Sequence, residues 1–197
     1  MVRYVINGGR AMNFVRLGSV LGAMLLLIAS AAIAGPREDA AAAMARHDYR
    51  QAMELYLPAA RHGDAVAQYN VALMLDEGWG VSQNYQQALK WYLRAANGGL
   101  LQAQRVAGYY YRWGRGRHQD VVRAHMWFNL AAAGGLRHAD VERDEEQRQM
   151  SGAQVAEAQR LAARWLAGHP RLRNCPDRRC RRPGWLPQHD WNKPLNW

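Results

Sequence analysis

Small and aromatic residues recur along this chain at helical spacing. The clearest stretch is Ala88-Leu89-Lys90-Trp91-Tyr92-Leu93-Arg94-Ala95-Ala96-Asn97-Gly98-Gly99. In it Ala88, Tyr92, Ala95, Ala96 and Gly99 fall on one stripe of a helix, and Lys90, Arg94 and Asn97 fall off it. The stripe repeats. Ala52, Tyr56, Ala59, Ala60 and Gly63 stand 36 residues upstream, and Ala124, Phe128, Ala131, Ala132 and Gly135 stand 36 downstream. A fixed period of roughly 20–50 residues marks a stacked array. A single helical pair cannot bury such a stripe, so neighbouring pairs must stack.

The same pattern predicts the elements in order. Residues Pro36 to His47 are Ala-rich with Glu38 and Asp39 in the first turn, which favours a helix. Asp48 caps a second helix, Tyr49 to His62, closed by Gly63; Pro58 inside it predicts a kink. The first full repeat is a helix over Asp64–Glu77, a tight Gly78-Trp79-Gly80-Val81 connection and a helix over Asn84–Asn97. The second is Leu100–Trp113, Gly114-Arg115-Gly116 and Asp120–Ala133. The third copy breaks down: Gly108 is answered by Asp144, within Glu142-Arg143-Asp144-Glu145-Glu146, which reads as a solvated charge run capping the array. Ser151 and Gln154 then open a last helix as a capping box, Val155, Ala158, Ala162 and Trp165 line it, and Gly168-His169-Pro170 stops it. Residues 168–197 show neither strand nor helix period. The expected fold is all-α: a short right-handed α-solenoid of antiparallel helix pairs, about eight helices, with an irregular C-terminal tail.

The run Ala67, Val71-Ala72, Leu75, Gly78-Trp79-Gly80-Val81, Tyr85, Ala88-Leu89-Lys90-Trp91-Tyr92, Ala95-Ala96 and Gly99 resembles the Sel-one-like repeat, a relative of the tetratricopeptide repeat. The resemblance covers residues 48–135, departs at Arg117 where Val is expected, and extends loosely over 136–167. It implies an adaptor scaffold that binds proteins or peptides and carries no cofactor. Some cysteine-rich relatives are linked to penicillin binding or β-lactam hydrolysis. They carry disulfides inside their repeats, and this chain has none there. In a superhelix of this kind the first helix of each pair lines the concave face. The candidate binding residues are then Tyr69, Leu73 and Asp76 in repeat one, beside Val66 and Glu77, and Gln102, Arg105, Tyr109, Arg112 and Trp113 in repeat two. Tyr, Trp and Arg are the residues that anchor peptide contacts. The competing reading is that Tyr69, Tyr109 and Trp113 pack between repeats.

The ends of the chain change the picture of where it works. Arg3, Arg10 and Arg16 precede an uncharged run ending in Ala32-Ile33-Ala34, the three parts of a secretory signal peptide cut after Ala34. Met12 is an alternative start. The organisation expected is a signal peptide over 1–34, a repeat domain over 35–167 and a basic Trp/Pro-rich tail over 168–197. Localisation would be periplasmic or secreted, with the mature form not membrane-spanning. Without those three arginines the chain has 23 basic against 16 acidic residues. That surplus suits an anionic envelope component such as cell-wall polymer or lipid headgroup, and export argues against nucleic acid. Cys175 and Cys180 read as a disulfide in an oxidising compartment. Their spacing from His169 and His189 is unlike that of a metal site. No hydrolase triad, phosphate loop or zinc-protease motif is present, so the sequence points to no catalytic residue. The reading favoured is a non-catalytic exported scaffold. A cell-envelope enzyme acting on peptidoglycan or β-lactams, and a surface binder acting through the tail, stand as alternatives.

Overall fold

The computed structural model describes residues 35–170, and the helices below belong to the unit that begins at Pro36. The signal segment, the tail beyond Pro170 and the Cys175–Cys180 pair lie outside the described residues. Among those described there are eight helices and no strand. They are α1 (Pro36–Ala45), α2 (Tyr49–Arg61), α3 (Ala65–Glu77), α4 (Tyr85–Asn97), α5 (Leu101–Trp113), α6 (Val121–Ala133), α7 (Ala139–Gln147) and α8 (Gly152–Gly168). Each helix from α1 to α6 packs on the next, so the chain is a row of antiparallel pairs; α8 turns back onto α6. This is the all-α solenoid that the period demands.

The repeat is visible atom by atom. Asp48, Asn84 and Asp120, spaced 36 apart, each accept a hydrogen bond from the backbone N–H three residues on and so cap α2, α4 and α6. Gln68 and Gln104 each donate from Nε2 to a carbonyl eight residues back, Ala60 at 3.0 Å and Ala96 at 3.2 Å. These two amides staple the second helix of one pair to the first helix of the next, and the apolar pattern does not reveal them. Ala52, Ala88 and Ala124 are buried in the same slot, and Tyr56, Tyr92 and Phe128 fill the adjacent one. Burying a ring of this size contributes roughly 1.5–3 kcal/mol, and the small alanines let the backbones approach closely enough to achieve it.

The loops follow the period too. Gly78 and Gly114 end α3 and α5 in the left-handed conformation, with φ of 74° and 68°. The second glycine of each pair has a different task. A Cβ on Gly80 would stand 2.7 Å from the backbone carbon of Tyr49, and one on Gly116 would stand 2.8 Å from that of Tyr85. Each loop therefore rests directly on the first turn of the previous second helix. Helix α2 continues through Pro58 to Arg61. Pro58 lies in the last turn and is exposed, where the lost N–H bond weakens only the helix end.

The acidic run behaves differently from the expectation. Residues 139–147 form α7, which stands in the register of a third first helix, next in the row after α3 and α5. Glu142 and Glu146 are only 6% and 5% exposed. They are not a solvated cap, because each meets an arginine one period earlier. The cap is provided by α8, whose Ser151–Gln154 capping box is formed as expected. Trp165 of α8 packs edge-on against Trp127 of α6 and donates its indole N–H to Asn97 at 2.8 Å.

Candidate binding face

Helices α3, α5 and α7 form the row of first helices, and they position every candidate binding residue. Tyr69, Leu73 and Asp76 on α3 are buried, as is Val66. Tyr69 meets Tyr92 edge-on at 5.3 Å, within the stack. Asp76 is completely buried. One of its oxygens is 3.3 Å from Arg115 Nη2, and the other accepts from the Tyr92 hydroxyl at 3.4 Å. Arg115 also lies 4.0 Å over the ring of Tyr85. Burial pushes the Asp76 carboxyl above its ordinary value, opposed by a Tyr110 hydrogen bond and the charge of Arg115. These three residues of repeat one are joined to the interior.

The residues of α5 come together in a different way. Arg105 Nε donates to both oxygens of Glu142, at 2.7 and 2.8 Å, and Nη2 reaches Oε1 at 2.5 Å. The Tyr109 hydroxyl also binds Glu142. Burial, reinforced by that hydrogen bond, pushes the Tyr109 phenol up to about 12. Burial lowers the Arg105 guanidinium, but Glu142 outweighs it and the net shift is upward. Arg112 pairs with Glu146, donates to the Glu142 carbonyl at 2.6 Å and stands 3.7 Å from Glu145. Its guanidinium also covers the Phe128 ring at 4.7 Å. Both arginines thus lash α5 to α7. Charge-assisted, bidentate contacts of this kind fix geometry as well as energy.

Gln102 is half-buried, and Trp113 is 50% exposed. One face of the Trp113 indole stacks on Tyr109, with centroids 4.7 Å apart and planes at 14°. Beside it is an open recess of about 620 Å³ lined by Arg112, Trp113, Gln119, Glu145, Glu146, Arg148 and Gln149. Only Arg112 and Trp113 of this lining were among the sequence candidates. A signal for the rest was present: Glu142 and Glu146 follow Arg105 and Arg112 by about one period, with opposite charge.

Known proteins resemble this arrangement. Three consecutive segments, residues 42–64, 65–100 and 101–136, match the Sel1 repeat. The chain belongs to the Sel1 repeat family. The matched segments end where α6 has turned toward α7, so α7 and α8 are outside them. A solved structure described as a protective antigen present in uropathogenic Escherichia coli strains, displaying an SLR fold, is 28% identical with a TM-score of 0.63. That match covers 70% of this chain and 31% of the antigen, so the chain spans about a third of its length. A Sel1 repeat protein from Oxalobacter formigenes is 34% identical over 48% of this chain and 71% of its own, with a TM-score of 0.47. No match was found among curated proteins. Sel1 repeats generally mediate protein–protein interaction.

Proposed function

We propose that this Sel1 repeat chain is a non-catalytic scaffold that binds a protein or peptide across the row of α5 and α7. The observation that carries this is the half-exposed Trp113, held by Tyr109 at the edge of a recess rather than sealed in the stack. A large rigid aromatic kept at a surface supplies binding area at low entropic cost. Arg112 and Trp113 are the sequence candidates that reach this surface. Arg105, Tyr109 and Glu142 support it from behind, while Tyr69, Leu73 and Asp76 hold repeat one in place. In this reading the scaffold works outside the cytoplasm, after segment 1–34 is removed, and the basic surplus of the chain brings it to anionic envelope surfaces.

Capture from an envelope fraction tests the reading. After crosslinking, the wild-type protein should recover a discrete partner. Trp113→Ala should lose at least about tenfold of it, the loss expected of a central aromatic anchor. Lys90→Ala, on the exposed face of α4, should recover it as wild type does. Undiminished recovery by Trp113→Ala would remove α5 from the binding surface.

A further inference from the structure

We propose that the outer face of the array, presented by α2, α4 and α8, docks on an anionic lipid surface. This rests on the reading that the chain meets anionic envelope surfaces, and it names the side that does so. Charge is divided between the two rows of helices. Helices α2, α4, α6 and α8 carry seven basic residues and two acidic ones, whereas α1, α3, α5 and α7 carry four basic and nine acidic. All seven basic residues of the first set are exposed. Arg123 pairs with Asp120 and Arg160 with Glu157. Among the described residues, Arg50, Arg61, Lys90, Arg94 and Arg164 make no ion pair.

The period shows which way these cations face. Lys90, Trp91 and Arg94 of α4 occupy the slots of Met126, Trp127 and Leu130 of α6. Those three residues of α6 are buried, and α8 packs over that helix with Trp165 edge-on to Trp127. Among the described residues no such helix covers α4: Lys90 and Arg94 are exposed and Trp91 is only partly buried. The slots are apolar where a helix covers them, and two of the three are cationic where none does. On α8, Arg160 and Arg164 stand one turn apart and exposed. Trp165 donates its indole N–H to Asn97, which joins the end of α8 to the end of α4. Trp91 decides between a lipid surface and a soluble polyanion. The Arg94 guanidinium lies 4.4 Å over its ring. An indole beside a long cationic side chain fits a headgroup boundary, with ring and methylene stem toward hydrocarbon and guanidinium toward phosphate. A soluble acidic polymer matches the charge and leaves the ring without a counterpart.

The test is co-sedimentation of the full chain with vesicles of mixed phosphatidylcholine and phosphatidylglycerol, and with vesicles of phosphatidylcholine alone. Physiological ionic strength limits the reach of each charge to about 8 Å, so that the side of the protein matters. Two double variants carry the same change in net charge, and circular dichroism checks the fold of each. Lys90→Glu with Arg94→Glu alters the outer face. Arg137→Glu with Arg148→Glu alters exposed positions flanking α7. A basic residue close to an anionic bilayer contributes about fivefold in affinity. The wild type should bind the mixed vesicles and not the neutral ones. The outer-face pair should lose at least about tenfold, and the α7 pair less than about threefold. Lys90→Gln with Arg94→Gln should weaken binding in the same direction by a smaller factor. Equal losses from the two Glu pairs would overturn the face assignment and leave the attraction to anionic surfaces standing. No loss from the outer-face pair would overturn it as well. Failure of the wild type to bind the mixed vesicles would defeat both. Full release by soluble polyglutamate, added at a charge equal to that of the vesicles, would assign the face to an acidic polymer and overturn the lipid proposal. Capture of a protein partner through Trp113 tests the scaffold reading independently of these outcomes.

Discussion

Gly116 and Gly63 have the same left-handed backbone, with φ of 68° and 94°, and different surroundings. Nothing lies within 4 Å of a Cβ placed on Gly63, whereas one on Gly116 meets Tyr85 at 2.8 Å. Gly63→Ala should therefore cost only the left-handed penalty, about 1–2 kcal/mol. Gly116→Ala should add an overpacking cost and reach about 2–5 kcal/mol in urea unfolding. Equal losses would mean that the loop does not rest on α4. Asp76 gives a second residue-scale prediction. Burial raises its carboxyl above the ordinary 3.8, so the folded state holds the proton more tightly than the unfolded state. Its contribution is fully favourable below about pH 4 and is lost as pH rises through the folded value. The stability of the wild type minus that of Asp76→Asn should fall between pH 4 and pH 7. A difference that grows over that interval would contradict the assignment.

At the scale of elements, α7 is bound to α5 by polar contacts that are buried. Removing one member leaves the others desolvated and unmatched. Glu142→Ala should cost about 3–5 kcal/mol and release the amides of α7 to hydrogen exchange before those of α3. Arg105→Leu with Glu142→Leu should lose much less, because no buried charge remains. A double variant as unstable as Glu142→Ala would show that the pairing is not what holds α7. These contacts also mark the limit of what the sequence discloses. Helices α2 to α6 are legible because Ala52, Ala88 and Ala124 and their neighbours obey one period. Helix α7 is not, because its attachment uses Glu142 and Glu146 in place of the apolar stripe, and a charge run looks solvated until its partners are known. Among the site candidates, the sequence cannot tell Arg112 and Trp113, which line the recess, from Tyr69 and Asp76, which do not. Asp76 shares the slot of Arg112 and Tyr69 that of Arg105, and only the neighbouring Tyr92, Tyr110 and Arg115 show that Tyr69 and Asp76 face inward.

The whole array spreads these roles unevenly. Helices α3 and α4 form the best-matched repeat, and the side chains of α3 are consumed in stacking: it runs from Val66 to Asp76 without an exposed residue. The surface available to a partner lies further along, where α5 meets the irregular third repeat. A solenoid is stabilised by contacts between neighbours, so its last repeats can diverge for binding while the earlier ones hold the frame. The central claim is that the partner touches this part of the array and not the outer helices. Site-specific photocrosslinking measures it directly, with a photoreactive amino acid placed at position 113 in one protein and at position 90, on the exposed face of α4, in another. The account predicts a discrete protein adduct from position 113 and none from position 90. An adduct from position 90 with none from position 113 would contradict it.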